Sequence, residues 1–310
     1  MINALYRAGD LLSWTAAGAG GDNGGMTDAP RTATGRVWLV TGASAGFGRA
    51  IAAAALAAGD TVVATARRPE ALADLVAAHP DRAVASALDV TDPARVAAVV
   101  AEVVLWYGRV DVLVNNAGRG LVGAIEETTE RELRDLMELH FFGPAALTRA
   151  VLPHMRRQGS GAIVQMSSMG GRLSFPGVGG YSATKFALEG LSEALAAEVA
   201  RFGIKVMIVE PGAFRTSFNG ANALLLSPPL PEYEEVVGPI RTTLADADGA
   251  QPGDPAKAAA AILSALESPH PPLRLPLGND AADAIAASLS GHRAEFATWE
   301  PVSRATDFAG

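Results

Sequence analysis

Val37-Trp38-Leu39-Val40-Thr41-Gly42-Ala43-Ser44-Ala45-Gly46-Phe47-Gly48 decides the fold of this 310-residue chain. Val37 to Val40 is wholly apolar and suits a strand buried on both faces, as in a parallel sheet. Three glycines follow at 42, 46 and 48, and the Ala-rich stretch from Arg49 to Ala58 reads as a helix. Strand, glycine turn and helix N-terminus in that order make an anion site. Without Cβ atoms the backbone can approach a phosphate closely, and free N–H groups and the helix dipole face it. The spacing is GxxxGxG rather than GxGxxG, but the physics is the same. Gly42, Ser44, Gly46, Phe47 and Gly48 are therefore expected to line a pyrophosphate site. The competing reading is a glycine turn that merely packs helix on strand.

Working outward, strand-like runs at 37–41, 61–66, 83–88, 110–115, 161–167, 204–210 and 272–277 alternate with helix-like runs at 47–58, 69–78, 92–107, 129–157, 179–202 and 254–267. Apolar runs such as Val110 to Val114 and Ile204 to Val209 suit a sheet covered on both faces. The alternation predicts the α/β class: a Rossmann-like doubly wound parallel sheet of about seven strands with right-handed crossovers. One domain is expected over 35–278. Residues 1–34 read as a flexible leader, with five glycines between Gly18 and Gly25 and an alternative start at Met26. Residues 213–253 break the rhythm with Ser227-Pro228-Pro229-Leu230-Pro231 and are expected to form a substrate lid loop. The tail, 279–310, is partly helical (Asp280 to Ser290) and has no assigned role.

Composition excludes several classes. Hydrophobic residues make up 49%, enough for a large core, and the net charge of −8 argues against a nucleic-acid partner. No long uncharged apolar run indicates a membrane span. With zero cysteines there are no disulfides or thiolate metal sites, and no metal is expected. Met1 to Trp14 lacks the pattern of a secretory signal, so the cytoplasm is the expected location. The Ala-rich bias, as at Ala52 to Ala55, suggests a bacterial source.

Tyr181-Ser182-Ala183-Thr184-Lys185 carries the chemistry. On a helix this spacing puts phenol and ammonium on one face, about 5–6 Å apart at Cβ. A phenol is a poor acid near neutrality, and a nearby cation favours the phenolate and lowers its pKa. The expectation is a proton donor that works at physiological pH. Ser168 closes the apolar run from Ala162 to Met166, thirteen residues before Tyr181. Its neighbour Ser167 is the rival hydroxyl, which strand alternation turns to the other face.

These residues, with Leu88-Asp89-Val90, Asn115-Asn116-Ala117-Gly118, Pro211-Gly212 and Thr216, resemble the short-chain dehydrogenase/reductase family over roughly 35–275. The resemblance implies reversible hydride transfer between a nicotinamide and a carbonyl carbon. Tyr181 would act as acid/base, Ser168 would stabilise the carbonyl oxygen, and Lys185 would acidify Tyr181 and bind the nicotinamide ribose. It further implies Asp89 and Val90 at the adenine, Asn116, Ala117 and Gly118 at the adenine ribose, and Pro211, Gly212 and Thr216 at the nicotinamide. Asn115 is a cofactor contact or purely structural. The second strand ends in Ala66 and then Arg67-Arg68. A guanidinium there suits a 2′-phosphate, so NADP(H) is expected, with Arg67 as the contact.

One departure stands out. His140 occupies the position where the family usually carries an asparagine that seats a proton-relay water, partly through its carbonyl. His140 either relays protons itself or is tolerated because only its carbonyl matters. Phe214, Phe218, Leu224, Leu225, Leu226, Tyr233, Phe175, Pro176 and Val178 suggest an apolar ketone, aldehyde or alcohol substrate. Family members assemble through the helices at 129–157 and 179–202, so a homodimer or homotetramer is expected. The alternative function is a non-catalytic NADP(H)-binding sensor or scaffold.

Overall fold

The computed structural model describes residues 31–220 and 223–308; residues 1–30 of the leader expected at 1–34 lie outside them. In chain order the elements are β1 (Val37–Val40), α1 (Gly46–Ala57), β2 (Thr61–Ala66), α2 (Ala73–Ala78), β3 (Ala83–Ala87), α3 (Pro93–Tyr107), β4 (Val112–Asn115), β5 (Gly120–Val122) and α4 (Glu130–Met137). There follow α5 (Gly143–Gln158), β6 (Gly161–Met166), α6 (Gly179–Val199), β7 (Ile204–Pro211), β8 (Leu224–Leu226), α7 (Glu234–Asp246), α8 (Pro255–Glu267), β9 (Arg274–Leu277) and α9 (Asn279–Arg304). Seven parallel strands form the main sheet in the order β3-β2-β1-β4-β6-β7-β9. The order reverses between β1 and β4, and at such a switch point the strand carboxyl ends open a crevice.

Both faces of the sheet are covered. Trp38, Val40, Val62, Val114 and Val164 pack with Ile51, Leu56 and Ile262 of α1 and α8. Leu39, Val63, Leu113 and Ile163 pack with Val99, Val103, Leu147 and Leu195 of α3, α5 and α6. Every residue of β1, β2 and β4 is buried, which accounts for their largely apolar sequences. Local sequence sets the helix ends. Asp92 accepts from the Ala94 and Arg95 N–H groups at the start of α3, with Pro93 in the first turn, and Gly108 at φ 71° ends it.

The structure differs from the sequence reading in three places. The expected helix over 129–157 is interrupted by a π-helical turn at Glu138–Phe142, where the Gly143 N–H reaches the Glu138 carbonyl. Pro144 follows within the first turn of α5. Having no N–H, it leaves the His140 carbonyl without its i−4 helical donor. The segment 213–253 is not a featureless loop. Its β8 pairs in parallel with β5 in a small second sheet, and α7 follows. The tail is more helical than expected, as α9 runs to Arg304.

Candidate active site

At the carboxyl end of β1 the chain turns through Gly42 (φ 63°) and Gly46 (φ 56°), conformations that L side chains rarely adopt. A Cβ on Gly48 would overlap Asn116 Nδ2 and lie 2.5 Å from the Gly42 carbonyl, so the turn closes only with glycine there. Asn116 braces the turn from β4. Its Nδ2 donates to the Thr41 carbonyl (2.9 Å) and the Gly42 carbonyl (3.1 Å), while Thr41 Oγ1 accepts from the Asn116 and Ala117 N–H groups. No described side chain caps the first turn of α1, and no acid lies in it. Its N–H groups therefore remain ready for an anion. Ser44 is exposed beside this turn.

Asn115 is buried, and its Nδ2 donates to Gln165 Oε1 at 2.9 Å. Val90 is buried against Gly143. The Asp89 carboxylate accepts from the N–H and Oγ1 of Thr91. Partial burial pushes its pKa up, but Thr91 and the nearby Arg67 charge outweigh this and hold it below its ordinary value. Arg67 itself is exposed just past the end of β2.

Ser168, Tyr181 and Lys185 come together in a cavity of about 340 Å³ that also contains Gly118, Pro211, Gly212 and Thr216 in its walls. Ser168 Oγ accepts from the Gly170 N–H at 3.0 Å. A Cβ on Gly170 would stand 3.4 Å from Ser168 Oγ and 3.3 Å from Tyr181 Cε1, so both side chains converge on that point. Two aromatic edges hold the Tyr181 ring, His140 at 5.5 Å and Phe218 at 6.0 Å between centroids.

Burial works against the acidification expected for Tyr181. Lys185 Nζ donates to the Met166 carbonyl at 2.8 Å and lies 5.7 Å from the Tyr181 ring centroid. Desolvation raises the Tyr181 pKa to about 12, while Ser168 pulls the other way. In this arrangement burial outweighs the Ser168 hydrogen bond that favours the phenolate. Desolvation also lowers Lys185 to about 8, against the opposing charge of Glu189.

His140 is buried at 1% exposure. Its Nε2 accepts from the Arg119 N–H (3.1 Å), and its Nδ1 lies 2.9 Å from Thr184 Oγ1, which itself donates to the Tyr181 carbonyl (2.7 Å). Because Thr184 spends its only proton on Tyr181, these partners assign a neutral imidazole protonated at Nδ1. Burial, then the charges of Lys185 and Arg119, keep its pKa well below 6.5. A Cβ on Gly118 would lie 3.0 Å from His140 Nε2, so Gly118 makes room for the imidazole.

Sequence reasoning missed two polar residues in the cavity wall. Asp280, at the start of α9, accepts from the Ala213 N–H at 2.7 Å, and a Cβ on Gly212 would overlap its carboxylate. Gln251 is buried, and its Oε1 finds no partner among the described residues. Neither belongs to a local motif; both reach the cavity through long-range packing.

A switch-point crevice with a glycine turn on one side and a serine–tyrosine–lysine set on the other defines an oxidoreductase of the dehydrogenase type. The chain belongs to the short chain dehydrogenase family, whose model matches residues 36–223. It is 39% identical over 272 residues to the oxidoreductase BOA17 of Botryotinia fuckeliana, covering 87% of this chain and 99% of that protein. A crystal structure of a short-chain dehydrogenase from Streptomyces avermitilis is 65% identical, with TM-score 0.84, covering 88% of this chain and 100% of that one. A metagenomic short-chain oxidoreductase in complex with NADP is 36% identical, with TM-score 0.54, covering 57% of this chain and 82% of the other.

Proposed function

We propose that this protein interconverts an apolar ketone or aldehyde and the corresponding alcohol using NADP(H). The observation that carries the reading is the convergence of Ser168 and Tyr181 on one point of an apolar-walled cavity, with Lys185 behind them. The residues present fit a dinucleotide. The uncapped turn of α1 with Gly42 and Gly46 would take the pyrophosphate, Arg67 the 2′-phosphate, and Asp89 and Val90 the adenine. Asn116 serves chiefly by bracing the turn, with Ala117 and Gly118 leaving room for a ribose. Pro211, Gly212 and Thr216 would flank the nicotinamide, which when bound supplies or accepts the hydride.

The chain's own groups handle the proton. A Tyr181 pKa of about 12 keeps the phenol protonated at neutral pH, as the donor to a carbonyl oxygen must be. Ser168 accepts from Gly170, so its own proton is free to hydrogen-bond the same oxygen and stabilise the charge that develops there. Once Tyr181 gives up its proton, the nearby Lys185 ammonium offsets the phenolate charge. His140, neutral and engaged at both ring nitrogens, acts as a positioning residue that fixes the Tyr181 ring, and its carbonyl is left available by Pro144. Phe214, Phe218, Leu224 and Leu244 line the cavity from the 213–253 segment, which supports a lid role and an apolar substrate. Exposed Phe142, at the end of the turn that leads into α5, and Phe186 on α6 support assembly along this side of the fold.

The test is NADPH consumption against a panel of apolar ketones and aldehydes. Tyr181→Phe is expected to lose about 10²–10⁴ in rate while keeping NADPH affinity, measured by fluorescence titration. Turnover retained in that variant would remove Tyr181 from its role. NADPH binding without turnover of any carbonyl would favour the sensor alternative.

A further inference from the structure

Helix α9 is held to the body only at its start. Ala281 and Ile285 are buried, whereas every residue from Gly291 to Trp299 is exposed. This projecting half carries Leu289, Phe296, Trp299 and Val302 at 52%, 59%, 59% and 58% exposure. A lone helix of this length is marginal in water, because helices in proteins take most of their stability from packing an apolar face. Four of the apolar positions, Ile285, Leu289, Phe296 and Trp299, lie on one stripe with the polar His292 and Ser303, and Val302 flanks it. Ile285, Leu289, His292, Phe296, Trp299 and Ser303 follow one another at steps of four and three, the a/d seam of a coiled coil. Ile285 packs on its own body, and the rest of the seam is unpartnered among the described residues.

We propose that the projecting half of α9 pairs antiparallel with α9 of a second copy of this chain, in a two-stranded coiled coil about a two-fold axis. Charge selects both occupant and direction. With Leu289 and Phe296 at a, Arg293 and Glu300 both fall at e. Antiparallel helices bring e against e, so Arg293 meets the partner's Glu300, and symmetry makes the contact twice. The same register stacks Phe296 on the partner's Trp299. A parallel pair would instead set Glu295, at g, against the partner's Glu300, a like-charge contact. Glu300 also pairs within its helix with Arg304, but only through Oε1 (2.6 Å), leaving Oε2 for the second molecule. Pro301 falls at f, facing away from the seam. This interface is isologous and separate from α5 and α6, so it adds a two-fold association step of its own.

The chain contains no cysteine, which allows a direct test on the full-length protein. Arg293→Cys and Glu300→Cys are made separately, then mixed and mildly oxidised. The antiparallel pair predicts a disulfide-linked dimer from the mixture and none from either variant alone, since like positions then lie about 10 Å apart along the axis. In sedimentation, Arg293→Glu is expected to weaken one association step about tenfold, and adding Glu300→Arg is expected to restore it. Circular dichroism and melting temperature serve as the fold check. Cross-linking within one variant would overturn the antiparallel register. An association step indifferent to both charge reversals, or a wild-type chain monomeric at tens of micromolar, would overturn the pairing itself. Weakening by Arg293→Glu without rescue would mean that α9 seats on a different surface, and would overturn it too.

Discussion

At Lys185 burial opposes charge, and the balance is measurable. Its pKa falls from 10.5 to about 8 because the folded protein desolvates the ammonium. Between those values the unfolded chain binds more protons than the folded one, so stability rises with pH across that window. Against Lys185→Met, which cannot titrate, the wild-type protein should gain up to about 3 kcal/mol between pH 8 and 10.5. Urea unfolding at successive pH values reads this directly, and parallel curves for the two proteins would show that the lysine is not desolvated. Arg67 belongs to the same scale. Losing a charge-assisted bond to a 2′-phosphate and gaining a carboxylate for a ribose hydroxyl should raise the KM for NADPH about 10- to 100-fold in Arg67→Asp. NADH should then become the preferred cofactor. Unchanged preference in steady-state kinetics would reassign the phosphate contact.

At the scale of elements, the segment over the cavity is fastened by one buried carboxylate. Glu127 accepts from the Ala124 N–H (2.6 Å), the Leu230 N–H (2.8 Å) and Arg241 (2.6 Å), and its side chain has no exposed area. Burial alone would raise its pKa, but these partners hold it below the ordinary glutamate value. Replacing it with Gln leaves the largely buried Arg241 charge with only the exposed Glu234 carboxylate, 3.9 Å away, as counter-ion, which costs more than losing an exposed pair. We expect Glu127→Gln to loosen α7 and β8 and raise the substrate KM about tenfold, with NADPH affinity unchanged. Hydrogen exchange in 224–246 should increase, and unaltered exchange there would dismiss the latch. This latch was not legible in the sequence. Glu127 and Arg241 are far apart in the chain, and the three-residue strands β5 and β8 are too short for alternation to reveal them. The central strands of the main sheet were legible because they are buried on both faces and read as largely apolar runs, and the edge strands β3 and β9 by their place in the alternation with helices. The break in the expected 129–157 helix had a sign at Pro144, whose missing N–H releases the His140 carbonyl, but periodicity alone did not carry it.

At the scale of the whole molecule, the strand order gathers residues from most of the chain at one end of the sheet. Gly42, Gly118, Ser168, Tyr181 and Gly212 were recognisable because each sits in a local motif following a strand. Asp280 was not, since only the return of the chain through β9 beside β7 carries the start of α9 back to the cavity. Gly212 illustrates the gap between recognising a residue and explaining it. Its position was read from a motif, whereas the structure supplies a physical reason: a side chain there would collide with the Asp280 carboxylate. That carboxylate fixes the Ala213 N–H and so sets the path of the stretch from Pro211 to Thr216, which passes 3.3 Å from where a Cβ on Gly46 would lie. Asp280→Ala should free this stretch and weaken NADPH binding about tenfold, the range for losing a hydrogen bond to a charged group. Because Asp280 is exposed, the melting temperature of the free protein should change little. Asp280→Asn keeps an acceptor for the Ala213 N–H and should recover most of the affinity in a fluorescence titration. If Asn binds as poorly as Ala, the negative charge rather than the hydrogen bond matters, and the tail acts on the cavity through its field instead of by holding the backbone in place.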